Sequence, residues 1–222
     1  MKSTKLDFTG FDDYFYQEAM KVLRTNILFC GRDVKVIAMT SCDMGEGKTT
    51  TTLNTGRALA ELGKRVLVID SDMRKSVMAG RNADVKNVKG LSEVLSGQEK
   101  LSSCIYSSQF ENLHLLFAGM YPPNPVELLN GECFEKLIDA VKNVYDYILV
   151  DTPPLGMVID AAVIAAKCDS AIIVIGSDKI KRAQAQDVVA QLKKSGCNVL
   201  GVILNNAENK KRAYYGKDKK YA

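Results

Sequence analysis

Apolar positions along the chain fall into short unbroken runs, separated by stretches with helical spacing. Residues 34–41 (VKVIAMTS), 65–70 (RVLVID), 113–118 (LHLLFA), 147–152 (YILVDT), 171–175 (AIIVI) and 199–205 (VLGVILN) read as strands. Runs this apolar are expected to be buried on both faces, as in a parallel sheet covered by helices. Helical spacing appears over 49–62, 133–143, 161–167 and 181–194, with shorter pieces at 91–95 and 126–129. The alternation predicts a doubly wound α/β domain, with a mostly parallel sheet, helices on both faces and ligands at the carboxyl ends of the strands. A further helical pattern at 16–29 precedes the first strand and has the body or a neighbouring copy to pack on. Residues 1–206 are expected to form one domain and 207–222 a flexible tail.

The strand at 34–41 runs straight into Asp43-Met44-Gly45-Glu46-Gly47-Lys48-Thr49-Thr50. A buried strand, a glycine-rich turn ending in Lys-Thr and a following helix form a phosphate-binding P-loop. Gly45 and Gly47 let the backbone curl and aim N–H groups at phosphate oxygens. The helix N-terminus adds its positive end. Lys48 reaches the β and γ phosphates, and the Thr49 hydroxyl is a Mg²⁺ ligand. The usual spacing would put glycine at position 42, where this chain has Cys42. Two more strands end in acid: Val68-Ile69-Asp70-Ser71-Asp72-Met73-Arg74 and Ile148-Leu149-Val150-Asp151-Thr152-Pro153-Pro154. Asp151 closes an apolar run as a Walker B carboxylate does, holding Mg²⁺ or a Mg²⁺-bound water. Asp70 and Asp72 supply a general base for an incoming hydroxyl and a further metal contact.

Composition narrows the class. The chain is 46% hydrophobic and 25% charged, ordinary for a soluble globular protein. No signal peptide and no membrane-spanning run is legible, which points to the cytoplasm. Six scattered cysteines without a C-x-x-C pair are expected to be reduced, with no zinc site. The single histidine, His114, sits in an apolar run and is expected to pack, which disfavours triad and metal-hydrolase chemistry. The tail carries six basic residues against Glu208 and Asp218, so it accounts for the whole net charge of +4. The balanced body gives no reason to expect nucleic acid.

These motifs resemble the bacterial tyrosine kinase (BY-kinase) family in its stand-alone cytoplasmic form. Residues 41–49 resemble its Walker A motif, 68–74 its Walker A′ motif and 148–154 its Walker B motif. The stretches at 90–97 (GLSEVLSG) and 119–129 (GMYPPNPVELL) resemble it too, and the match runs from about residue 15 to the C-terminus. Met44 stands where the family often has proline. The resemblance implies ATP and Mg²⁺, with Lys48 and the N–H groups of the 43–50 loop on the phosphates. It implies Thr49, Asp72 and Asp151 at the metal, Asp70 as the base, Arg74 on phosphate or substrate, and Asn205 at the adenine.

Both ends extend the resemblance. Tyr214, Tyr215 and Tyr221 form a short version of the family's C-terminal tyrosine cluster, which is phosphorylated between subunits. Glu18, Lys21 and Arg24 step along one helical ridge and resemble the family's oligomerisation motif E-x-x-R-x-x-R, with Lys21 in place of the first arginine. Lysine lacks the bidentate fork, which predicts a weaker ring. The implied partners are a second copy, a membrane-spanning polysaccharide co-polymerase that activates the kinase at the inner membrane face, a phosphotyrosine phosphatase and other protein substrates. The implied pathway is capsular or extracellular polysaccharide synthesis. Two rivals share the fold: a partition or division-site ATPase, and a nucleotide-gated scaffold for a membrane partner. The first carries a signature lysine where this chain has Asp43, and neither predicts phosphotyrosine.

Overall fold

The structure is a computed structural model that describes residues 2–8, 13–82, 88–177 and 179–207. In chain order it runs β1 (Lys2–Ser3), α1 (Tyr14–Phe29), β2 (Val36–Ser41), α2 (Lys48–Ala60), β3 (Val66–Asp70), α3 (Met78–Asn82), α4 (Leu91–Leu95) and α5 (Leu101–Cys104). It continues β4 (Ile105–Ser107), β5 (Leu113–Leu116), α6 (Pro125–Asn130), α7 (Glu132–Lys142), β6 (Tyr147–Asp151), α8 (Asp160–Ala165), β7 (Ser170–Gly176), α9 (Arg182–Lys194) and β8 (Val199–Asn205). The strands form one sheet in the order β1-β4-β5-β3-β6-β2-β7-β8. Every pairing is parallel except β4 with β5. The six expected strands are all present. The two additions, β1 and β4, are two and three residues long, too short to leave a periodic signal.

Alternate residues of the central strands feed opposite faces, as the two-residue strand period requires. Ile37 and Met39 of β2 pack with Leu53 and Leu59 of α2 and with Ile27 of α1. Val36 faces the other way, into a cluster with Phe134, Leu137, Ile138 and Val141 of α7. Ala38 joins Ala161 and Ala165 of α8 and Val188 and Leu192 of α9. Helices therefore cover both faces of the central strands, as their unbroken apolar runs predict. The edge strand β8 departs from this, since Val202 and Leu204 are exposed. It has a partner on one side only.

The helix after the P-loop is pressed into the sheet. A Cβ at Gly56 would lie 3.0 Å from the Val68 side chain and 3.1 Å from that of Leu113, so a larger residue here would require both to shift. The buried hydroxyls of Thr52 and Thr55 donate to carbonyls one turn back, at 2.9 and 2.7 Å. Buried polar groups need such partners. The outer side of α2 is covered by α1, through Met20 on Ala58 and through Asn54 Nδ2 donating to the Tyr16 hydroxyl at 2.8 Å. The 16–29 pattern thus packs on the body. Arg24 Nη1 donates to the Ala58 carbonyl at 3.1 Å, while Lys21 and Glu18 pair at 2.6 Å on the solvent side. Among the described residues, no helix is long and apolar enough to cross a membrane. All six cysteines are free, and His114 packs edge-on to Tyr145 at 5.6 Å.

Candidate active site

Sheet order assembles the site. The P-loop strand β2 lies next to β6, and β6 lies next to β3. Met39 is in register with Asp151, and Asp151 with Asp70. The two acidic strand ends therefore emerge beside the P-loop although the three segments lie far apart in the chain. They border a cavity of about 520 Å³ lined by residues 43–50, Asp72, Arg74, Lys75, Val77, Pro153, Pro154, Met157 and Val158.

The loop backbone is built for phosphate. Gly45 and Gly47 adopt φ of +74° and +83°, the left-handed region that glycine occupies without strain. Cys42 has no such φ, so the missing third glycine costs the loop nothing in backbone geometry. Its thiol is buried, and burial together with Glu46 and Asp43 pushes its pKa up to about 11. It is thus a packing residue at neutral pH.

Glu46 and Asn205, both expected among the ATP-binding residues, fix the loop from behind. The buried Glu46 carboxylate accepts from Asp43 N at 2.6 Å and from Gly176 N at 2.9 Å, pinning the loop to the end of β7. Asn205 Nδ2 donates to Glu46 O at 2.9 Å. A Cβ on Gly47 would lie 2.0 Å from that amide nitrogen. Gly47→Ala is expected to displace Asn205 and strain the turn, weakening nucleotide binding by at least about tenfold in a titration while the fold persists.

Two of the site's cations, Lys48 and Arg74, are paired with buried carboxylates. Lys48 Nζ lies 2.7 Å from Asp151 Oδ1, both side chains being almost fully buried. The Thr49 hydroxyl donates to Asp151 Oδ2 at 2.7 Å, and the Thr52 hydroxyl approaches Oδ1 at 3.3 Å. On the opposite wall, Asp72 Oδ1 accepts from the backbone N–H groups of Arg74 and Lys75, at 3.3 and 3.0 Å. That turn leaves Asp72 half-buried on the cavity wall.

Asp70, expected as the base, lies behind the cavity wall. It is 1% exposed, does not line the cavity and accepts a hydrogen bond from the Ser76 hydroxyl. Burial, and then the neighbouring Asp151 carboxylate, push its pKa up to about 7. Ser76 must therefore yield before a substrate hydroxyl reaches Asp70. Arg74 is engaged as well: its guanidinium grips Asp160, a buried residue that the sequence alone did not single out. Its position at a helix start nine residues beyond the Walker B acid was the available signal.

The residues present fit ATP with Mg²⁺. Left-handed glycines and a helix N-terminus receive phosphate, and Thr49, Asp72 and Asp151 offer the hard oxygens that Mg²⁺ takes. Among the described residues, no group of three or more His, Cys, Asp or Glu side chains could hold a metal. Tyr214, Tyr215 and Tyr221 lie outside the described residues.

Residues 34–199 match the sequence model of the AAA domain family. The chain is 42% identical to tyrosine-protein kinase CpsD of Streptococcus agalactiae, over 90% of this chain and 87% of that one. The kinase domain of the Escherichia coli tyrosine kinase ETK is similar in structure, with a TM-score of 0.79 at 28% identity over 86% of this chain and 77% of that one. The septum site-determining protein MinD of Pyrococcus horikoshii, solved with Mg-ADP, shares the fold at a TM-score of 0.65 and 32% identity, over 79% of this chain and 72% of that one. The likeness to the kinases is tighter and reaches further along the chain. This P-loop protein belongs to the bacterial tyrosine-protein kinase (BY-kinase) family.

Proposed function

We propose that this kinase moves the γ-phosphoryl group of ATP onto tyrosines in the tail of a neighbouring copy, and that it serves capsular or extracellular polysaccharide synthesis. The observation that carries the chemistry is the meeting of Lys48, Thr49, Asp72, Arg74 and the P-loop in one cavity, with Asp70 directly behind its wall. Lys48 would leave Asp151 for the β and γ phosphates, and the loop N–H groups would hold the remaining oxygens. Thr49, Asp151 and Asp72 would hold Mg²⁺, which when bound neutralises phosphate charge. Asp70 would take the phenolic proton as the phosphoryl group passes to the tyrosine oxygen and ADP departs. A carboxyl titrating near neutrality is matched to that task. Asn205 would face the adenine from the end of β8.

The acceptors are Tyr214, Tyr215 and Tyr221. Each phosphorylation adds about −1.5 to −2 charge, so two or three events would cancel or invert the tail's +4. Transfer between copies calls for an oligomer, and Glu18, Lys21 and Arg24 would form its head-to-tail contact. The family resemblance supports a membrane-spanning co-polymerase as activator at the inner face of the membrane, a phosphotyrosine phosphatase and further protein substrates.

Mixing two chains, neither able to label its own kind, tests this reading. One chain carries Lys48→Ala and an intact tail, and the other keeps Lys48 and lacks residues 213–222. With Mg-ATP, phosphate is expected only on the Lys48→Ala chain, at the three tail tyrosines. No phosphotyrosine in the mixture, under conditions where the wild-type chain labels itself, would refute transfer between copies.

A further inference from the structure

Arg74 and Lys75 stand side by side on the cavity wall, yet they are held very differently. The Lys75 ammonium makes only a 3.9 Å approach to Met44 Sδ. Arg74 is gripped twice by one carboxylate: Nε donates to Asp160 Oδ2 at 2.7 Å and Nη2 to Oδ1 at 3.1 Å. Asp160 opens α8 and is 1% exposed, whereas the Arg74 side chain is 43% exposed. A carboxylate so buried stays charged only beside a cation that satisfies its oxygens. Arginine's planar fork does this with both oxygens at once, and lysine cannot.

The fork engages two of the five guanidinium N–H donors. The other three, both on Nη1 and one on Nη2, point away from Asp160. Arg74 lines the same cavity as Lys48, Thr49 and Asp72, so the donors that Asp160 leaves uncommitted belong to a side chain bordering the phosphate site. A free arginine would have to order its long side chain on meeting an anion, and this one is ordered in advance.

We infer that Asp160 is a positioning residue: by clamping Nε and Nη2 it holds the remaining donors of Arg74 toward the γ-phosphoryl group, so that the site distinguishes ATP from ADP. This rests on the kinase reading and gives one of its residues a fixed orientation. It also ties the Walker A′ loop to the segment following the Walker B acid, 86 residues later.

Calorimetric titration of the full-length chain with Mg-ADP and with Mg-ATPγS tests the assignment, and neither needs turnover. Asp160→Asn is expected to lose about tenfold in affinity for Mg-ATPγS while Mg-ADP binding stays within about twofold. Arg74→Ala should show the same selective loss, and the double variant no further loss. If Asp160→Asn does not fold, Arg74→Lys keeps the charge without the fork and is expected to show the selective loss too. An equal loss for both nucleotides would reduce the ion pair to a loop fastener and overturn the inference. So would an unchanged Mg-ATPγS affinity in Asp160→Asn when Arg74→Ala is impaired. An Arg74→Ala chain with normal Mg-ATPγS affinity would also overturn it, and would remove Arg74 from the γ-phosphate while leaving the tail-phosphorylation reading intact.

Discussion

Lys48→Ala is expected to cut phosphotyrosine formation by about 10³-fold, and also to lower the melting temperature of the nucleotide-free protein. The first effect follows from removing the cation that meets the β and γ phosphates. The second comes from the pairing of Lys48 with Asp151. Lys48 and Asp151 lie 2.7 Å apart with side chains only 8% and 2% exposed. Removing one partner of a buried pair strands the other, at a typical cost of about 3–5 kcal/mol. Here the hydroxyls of Thr49 and Thr52 still reach Asp151, so the loss should fall toward the lower end. In a chain of this size that is a drop of about 5 °C or more. Calorimetric melting beside a kinase assay checks both. An inactive variant with an unchanged melting temperature would show that the buried pair does not stabilise the free site.

Asp70→Asn is expected to do the opposite to stability while removing activity just as completely. The Asp70 carboxyl titrates at about 7 in the folded chain, against an ordinary value of 3.8, because burial and Asp151 disfavour its charge. Between those two values the folded chain holds a proton that the unfolded chain has released. Stability therefore falls as pH rises from about 4 to about 7, and the full penalty is present above that. Asparagine carries no charge to penalise and still accepts from Ser76. The variant should be more stable than wild type at pH 8, by at least about 1 kcal/mol or roughly 3 °C, and nearly equal to it at pH 4. Melting curves at the two pH values decide it, and a destabilised variant at pH 8 would contradict the electrostatic account. A stabilised variant would make the active site an instance of stability given up for a base poised near neutrality.

How much of this was legible in the sequence depends on whether a feature is local. The runs that became β2, β3, β5, β6, β7 and β8 announced themselves because a short, unbroken apolar stretch is what a strand buried on both faces requires. The P-loop and the acids Asp70, Asp72 and Asp151 were legible because each is a strand-end motif, and strand ends meet in a parallel sheet. The short strands β1 and β4 were not, since two or three residues carry no period. Nor could the sequence show what the site residues touch. Glu46 reads as one more residue of a phosphate loop, but its carboxylate is spent on Gly176, 130 residues away. Arg74 reads as a free cation until the fold brings Asp160 to it. Asp70 reads as a base for an incoming hydroxyl, and its hydrogen bond from the Ser76 hydroxyl appears only once the turn after β3 is folded. Such contacts depend on how the loops at the top of the sheet pack, which local patterning does not encode.

One labelling experiment tests directly whether the chain is a tyrosine kinase acting on its own tail. The purified full-length protein is incubated with Mg-ATP and probed for phosphotyrosine, beside Lys48→Ala and a chain lacking residues 213–222. The account predicts a signal in the wild type that disappears in both variants. Phosphotyrosine persisting in the tail-deleted chain would place the acceptor elsewhere. ATP hydrolysis by the wild type without any phosphotyrosine would contradict the claim outright.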